Sequence, residues 1–298
     1  MSEVTWGTVI ALALWFIGVS SGAYRLSALA SRKKEDPGWA KVGLTSAFLA
    51  LITLAAGMGF LVLDLRQKFR FWYLLLNLNP ESPMSIGVWF LSIFGILCLC
   101  HLIFWMPEPW RKRLPLIGGW SIWNNWRIHG YVAKFGMYVA IVVAVYTGVL
   151  LAATSIPLWR NFFLPPLIFF SALACGLTCG TLATMSLTRK IGDKTLFLPL
   201  RFLQSSLRPT LVIMLALTGG FLILALVQSV TGVKTHLISL GWMGFLWWGG
   251  AIGVGMIWPL INSFRAEKSF QARAQLTCWI TFIGGLVLRW VLLYAGQI

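Results

Sequence analysis

The sequence predicts an all-α integral membrane protein with eight transmembrane helices. Two observations of composition and one of pattern lead there. The 298 residues are 58% apolar and only 11% charged, with a mean hydropathy of +0.81. A soluble domain is about a quarter charged, so a water-facing surface cannot be assembled from this sequence. Eight runs are long and apolar enough to cross a hydrocarbon core roughly 30 Å thick, which takes about 20 residues of helix.

In order the runs are Trp6–Ala30, Lys41–Leu63, Ser85–Met106, His129–Ser155, Pro165–Leu187, Leu207–Val230, Leu237–Asn262 and Leu276–Ala295. The polar stretches between them carry Pro, Gly and nearly all of the charge. Met1-Ser2-Glu3 has no basic segment, and no small-residue cleavage site follows the first run, which reads as a retained helix. The stretch Ile156–Pro166 divides the sequence into residues 1–156 and 157–298, four spans each. No repeat of roughly 20 to 50 residues is visible, which excludes solenoids and propellers.

The net charge of +16 invites a nucleic-acid reading, but its distribution argues for topology instead. Of 24 Lys and Arg residues, 16 fall in the connections after the first, third, fifth and seventh spans, and five fall on the opposite side: Arg66, Lys68, Arg70, Arg160 and Lys234. Short basic connections stay in the cytoplasm. Both termini are therefore expected on the periplasmic or extracytoplasmic side of the cell membrane, with no nucleic-acid partner.

Two connections stand out. Asp64–Met84, on the outer side, reads as an interfacial helix anchored by Phe69, Phe71, Trp72 and Tyr73, with Pro80 and Pro83 stopping it before the next span. Pro107–Trp126, on the inner side, has the tryptophans and basic residues of a membrane-surface anchor.

The five cysteines are spaced C-x-C, C-x3-C and singly within apolar runs. Iron–sulfur clusters need several thiolates converging from loops, so these read as small packing residues and the protein is expected to carry no cluster. A haem between His101 and His129 is conceivable, both lying toward the inner side, but there are just three histidines. No acidic cluster lies in the spans, which weakens a channel or ion-pump reading.

Ionisable groups inside a bilayer are costly and usually functional. They concentrate in the first four spans. An outer group comprises Asp64, Tyr146 and the small-residue stripe Gly18, Ser20, Ser21 and Gly22; an inner group comprises Arg25, His101, Lys134 and Tyr138. The last four spans have almost nothing ionisable except Arg289, near the outer end. Snorkelling competes as an account of Lys134 and Arg25, a helix-to-helix hydrogen bond as one of His101 and Tyr146, and close packing as one of the glycines.

Several strings, in order along the whole sequence, carry a resemblance. They are Phe16-Ile17-Gly18 with Ser21-Gly22-Ala23-Tyr24, Asp64-Leu65 with Arg70-Phe71-Trp72, Pro80 through Trp89, Tyr146 through Leu151, Pro157-Leu158-Trp159 with Pro165, and Leu288 through Gln297. The sequence resembles the NrfD/polysulfide reductase membrane-subunit family. The resemblance implies a quinone-reactive anchor of two four-helix bundles without haem or iron–sulfur cluster of its own. It also implies a ferredoxin-like iron–sulfur partner, usually joined to a molybdopterin oxidoreductase, and a quinone pocket in the first bundle facing that partner.

The functional expectation follows from both lines. The protein is a membrane anchor exchanging electrons and protons between menaquinone or ubiquinone and a bound iron–sulfur subunit. Tyr146 is the expected hydrogen-bonding and proton-relaying group, with Asp64 as proton acceptor or orienting partner. Gly18, Ser20, Ser21 and Gly22 are expected contacts of the quinone ring, and Arg25, His101, Lys134 and Tyr138 an inner proton route. The rivals are a secondary transporter, suggested by glycine-rich helices in paired halves, and a purely structural anchor.

Overall fold

The computed structural model describes residues 6–65, 73–76, 79, 82–113, 120–154, 156–191, 194–230, 241–264 and 270–297. Within these it is all-helical: α1 Thr8–Ala30, α2 Pro37–Asp64, α3 Tyr73–Leu76, α4 Pro83–Trp105, α5 Glu108–Arg111, α6 Trp126–Ala152, α7 Leu164–Ile191, α8 Phe197–Val230, α9 Trp242–Phe245, α10 Trp258–Phe264 and α11 Phe270–Ala295. Eight of the described helical segments are long and apolar enough to span a membrane. Together with the family assignment given below, they make this a multi-span integral membrane protein.

Helix starts are set by local chemistry. The Asp36 carboxylate accepts from the Gly38 amide at 2.7 Å with Pro37 in the first turn, which fixes the entry of α2 before its apolar run begins. The Asn125 side chain accepts from the Arg127 amide at 3.0 Å. That cap starts α6 at Trp126 and carries His129 inside the first turn. Pro83 is the first residue of α4, where its missing N–H goes unneeded. Of the expected interfacial helix, Tyr73–Leu76 is helical; residues 66–72 lie outside the described part.

Two spans depart from the apolar runs. α8 begins at Phe197, not Leu207, and runs through Pro209. Leu200, Leu203 and Leu207 recur at helical spacing and are all buried, so an amphipathic turn extends the span where charge dilutes the hydropathy. Arg201 and Arg208 accordingly sit on helix, not in a loop. The seventh span contains a π-helical stretch, Leu246–Ile257, between α9 and α10. Its Gly255 packs directly on Gly284 of α11.

α1 is the axis of the molecule, packing on α2, α6, α7 and α11. Its contact with α7 is backbone to backbone. A Cβ built on Gly22 would collide with the Ala172 carbonyl oxygen, and one on Gly176 with the Gly22 carbonyl carbon. Small residues are what allow helices to approach so closely in a membrane. The division expected at residues 156/157 lies between α6 and α7, and α1 packs across it on α7 and α11.

Both described ends of the protein lie together. Gln297 accepts from the Trp6 amide at 2.9 Å and donates to the Trp6 carbonyl at 3.0 Å. Thr8 Oγ1 and the Tyr294 hydroxyl are 2.9 Å apart. α1 and α11 are therefore antiparallel neighbours. Replacing Gly176 with Ala should lower stability by about 1–3 kcal/mol, seen as a reduced Tm in detergent, because neither backbone can yield to a methyl group.

Candidate functional site

At the end of the molecule carrying Trp6 and Gln297, the first four spans separate to enclose a cavity of about 390 Å³. That lies within the size range of small-molecule sites. α1 contributes Ile10, Leu14 and Ile17, with Trp6 preceding it; α2 contributes Met58, Gly59, Leu61, Val62 and Asp64; α4 contributes Gly87, Val88 and Leu91; α6 contributes Tyr146, Thr147 and Leu150. The wall is apolar with few polar groups, and the two predicted chemical residues, Tyr146 and Asp64, are both among them.

Tyr146 is held across α4. Its hydroxyl donates to the Pro83 carbonyl at 2.5 Å. This crossing requires Gly87, where any Cβ would collide with the phenol oxygen. The Pro83 carbonyl is reached at the N-terminal end of its helix. Asp64, exposed at the rim, is the final residue of α2. The lining hydroxyls are turned to helix carbonyls as well: Ser92 donates to Val88 at 2.8 Å and Thr147 to Ala144 at 2.7 Å. With their protons engaged, these oxygens and the Asp64 carboxylate can act toward a ligand as acceptors. Trp6 is the lining side chain that bears an N–H of its own.

The stripe on α1 lies away from this cavity. Gly18 and Gly22 face α7. Ser20 donates to the Ala50 carbonyl of α2 at 2.6 Å, and Ser21 to the Gly18 carbonyl at 2.8 Å. All four are buried between helices. Sequence periodicity places them on inward faces but does not say which neighbour each face meets.

The inner four do not assemble into one cluster. Lys134 and Tyr138 point outward from α6 and are exposed. Arg25 is buried against α7, its guanidinium 4.6 Å from the centre of the Phe169 ring. His101 is fully buried in a polar network that the sequence pattern does not reveal. Its Nδ1 lies 3.1 Å from His129 Nε2, its Nε2 lies 2.9 Å from Ser27 Oγ and accepts from the Trp105 indole at 3.2 Å. Ser27 in turn donates to the Gly43 carbonyl at 2.7 Å, so the network ties α1, α2, α4 and α6 together. The two imidazoles bond to each other directly. The i, i+4 spacing of His101 and Trp105 is the one sequence signal for this network.

The contrast is measurable. His101→Ala leaves the Trp105 indole and His129 Nε2 without the bonds they make to it and should cost about 1–3 kcal/mol of stability. Lys134→Gln and Tyr138→Phe, both on the outer face, should change it by less than about 0.5 kcal/mol. Thermal unfolding of the purified variants separates the two.

The comparisons with known proteins agree with this architecture. A family model described as Polysulphide reductase, NrfD matches residues 1–298. Protein NrfD of Escherichia coli is 26% identical over 315 residues, covering 99% of this sequence and 96% of that protein. The C subunit of polysulfide reductase from Wolinella succinogenes is 27% identical over 316 residues, covering 99% and 95%. An Hdr-like menaquinol oxidoreductase integral membrane subunit of Archaeoglobus fulgidus is 23% identical over 313 residues, covering 99% and 70%. With a match to the family model over its whole length and eight spans in order, the protein belongs to the NrfD/polysulphide reductase family.

Proposed function

We propose that the protein is the membrane subunit of a multi-subunit oxidoreductase, exchanging two electrons and two protons between a membrane quinone and a bound ferredoxin-like iron–sulfur subunit. A molybdopterin or other catalytic subunit completes the complex. The names of the relatives support this reading: one belongs to a polysulfide reductase and another is a subunit of a menaquinol oxidoreductase. Menaquinone and ubiquinone both suit an apolar cavity of this kind.

The observation that carries the proposal is the cavity wall shared by Tyr146 and Asp64. A quinone head needs apolar walls for its ring and a polar group at its oxygens. The Tyr146 proton is engaged by Pro83, so its oxygen meets a ligand as acceptor, as does the Asp64 carboxylate. That polarity suits the reduced, hydroxyl-bearing form. In this reading a quinol donates one hydroxyl to Tyr146 and gives up two electrons to the iron–sulfur partner. Asp64, at the rim, takes the two protons of the quinol in turn and releases each to the periplasmic or extracytoplasmic water. The docking side of the partner is then the Trp6–Gln297 end.

Tyr146→Phe should lower quinol-linked activity of the complex by on the order of 10²-fold, the usual weight of a proton-relaying side chain. Dye-linked activity of the partner should be unchanged. Gly87→Ala should reproduce the loss, because a methyl group there displaces the phenol. Full quinol-linked activity in Tyr146→Phe would remove the assignment. For the orientation, a reporter fused at the C-terminus should be reached from the outer side of the membrane; labelling solely from the cytoplasm reverses the docking face.

A further inference from the structure

Two arginines lie deep in the helical assembly, and no carboxylate among the described residues matches them. Arg289 of α11 is 1% exposed and Arg25 of α1 is 5% exposed. The whole sequence has eight acidic residues. In the spanning helices the only one is Asp64, the last residue of α2 at the cavity rim. A guanidinium stays charged in proteins, and an unpaired buried ion is among the costliest features a fold can carry.

The two groups converge. α1 and α11 are antiparallel, and each side chain runs back along its own helix: Arg25 Nε donates to the Ser21 carbonyl at 3.1 Å, and Arg289 Nη1 to the Gly285 carbonyl at 3.0 Å. They therefore reach toward each other from opposite ends. Arg289 Nη2 arrives against Gly18, 2.6 Å from where a Cβ would stand, while Arg25 arrives at Ser21. Those positions are three residues apart on α1, about 4.5 Å of helix rise.

Around this turn four buried nitrogens have no oxygen acceptor: Arg25 Nη2, Arg289 Nε and Nη2, and the indole Nε1 of Trp15, three residues before Gly18 on α1. The groups nearby do not balance the charge. Ser171 accepts from Arg289 Nη1 at 2.8 Å, and Phe169 offers Arg25 a ring face. The Cys175 thiol sits beside both Trp15 and Arg289, but a thiol is a weak acceptor. Two like charges and a third donor, all directed at one turn in a medium of low dielectric, call for an anion.

We propose that the space between Arg25 and Arg289, flanked by Trp15, binds a small inorganic monoanion of the halide class. The ion neutralises the seam between α1, α7 and α11 and accepts from the donors named. Its small size follows from the three-residue spacing of Gly18 and Ser21, the α1 positions that the two side chains reach. This site is distinct from the Tyr146 cavity and does not rest on the quinone reading.

The test uses the full-length protein purified in chloride, desalted into gluconate, and denatured for ion chromatography. Stoichiometric chloride release is expected from the wild type, and none from Arg289→Gln or Arg25→Gln. If the ion exchanges before denaturation, adding bromide at constant ionic strength should raise the wild-type Tm saturably. The same titration should leave Arg289→Gln flat, while Arg208→Gln, on α8 beside Phe264, responds like the wild type. Should a variant fail to fold, crystals grown in bromide provide the measurement on the wild type, with an anomalous peak expected between the two guanidiniums. No retained chloride together with identical Tm in gluconate and bromide overturns the proposal, as do bromide peaks confined to the surface.

Discussion

The contact of α1 with α7 through Gly22 and Gly176 sets the spacing of everything else. Once two backbones touch, α1 cannot also be lipid-facing, and it becomes the strut around which α2, α6 and α11 gather. In hydrocarbon there is no hydrophobic gain from bringing helices together, so close van der Waals contact has to supply the affinity. The glycines on α1 thus serve the seam between the halves. The ligand-sized space opens where α1, α2, α4 and α6 diverge toward Trp6.

Polar groups obey the same constraint. Most buried threonine hydroxyls in the spans donate to a carbonyl of their own helix, three or four residues back, as Thr178, Thr181, Thr184, Thr218 and Thr281 do. A polar side chain that reaches across helices is less common. Two such places stand out, the Ser27–His101–His129 network and the phenol of Tyr146 laid over Gly87. The arginines of the α1–α11 seam form a third, set apart by charge that the described protein does not balance.

Much of this is legible in the sequence, for reasons that can be named. Spans are set by hydropathy, a one-dimensional property, so all eight emerge from apolar runs alone, and errors arise only where another force acts. The amphipathic start of α8 escapes that reading because Arg201 and Arg208 dilute its hydropathy. Asp36 and Asn125 move the starts of α2 and α6 by capping. The pairing of Asp64 with Tyr146 on one wall comes from their common depth. Depth says nothing about azimuth, however. For that reason Lys134 and Tyr138, at the right level, lie on the outward face, and Gly18 and Gly22 meet α7. Trp6 and Gly87 give no signal in advance, since one is a lone aromatic before a helix and the other one glycine among 29.

The reciprocal bonds between Trp6 and Gln297 have a consequence for how the protein is made. Trp6 is part of the cavity wall, and it is fixed by a residue just beyond α11, which leaves the ribosome after the seven spans before it. The first four helices can be in the bilayer and packed while their cavity still lacks one secured side. Completion of the pocket is therefore a late event in biogenesis, and a nascent polypeptide with only its first half inserted has a vestibule open to lipid where the finished protein has a bounded chamber.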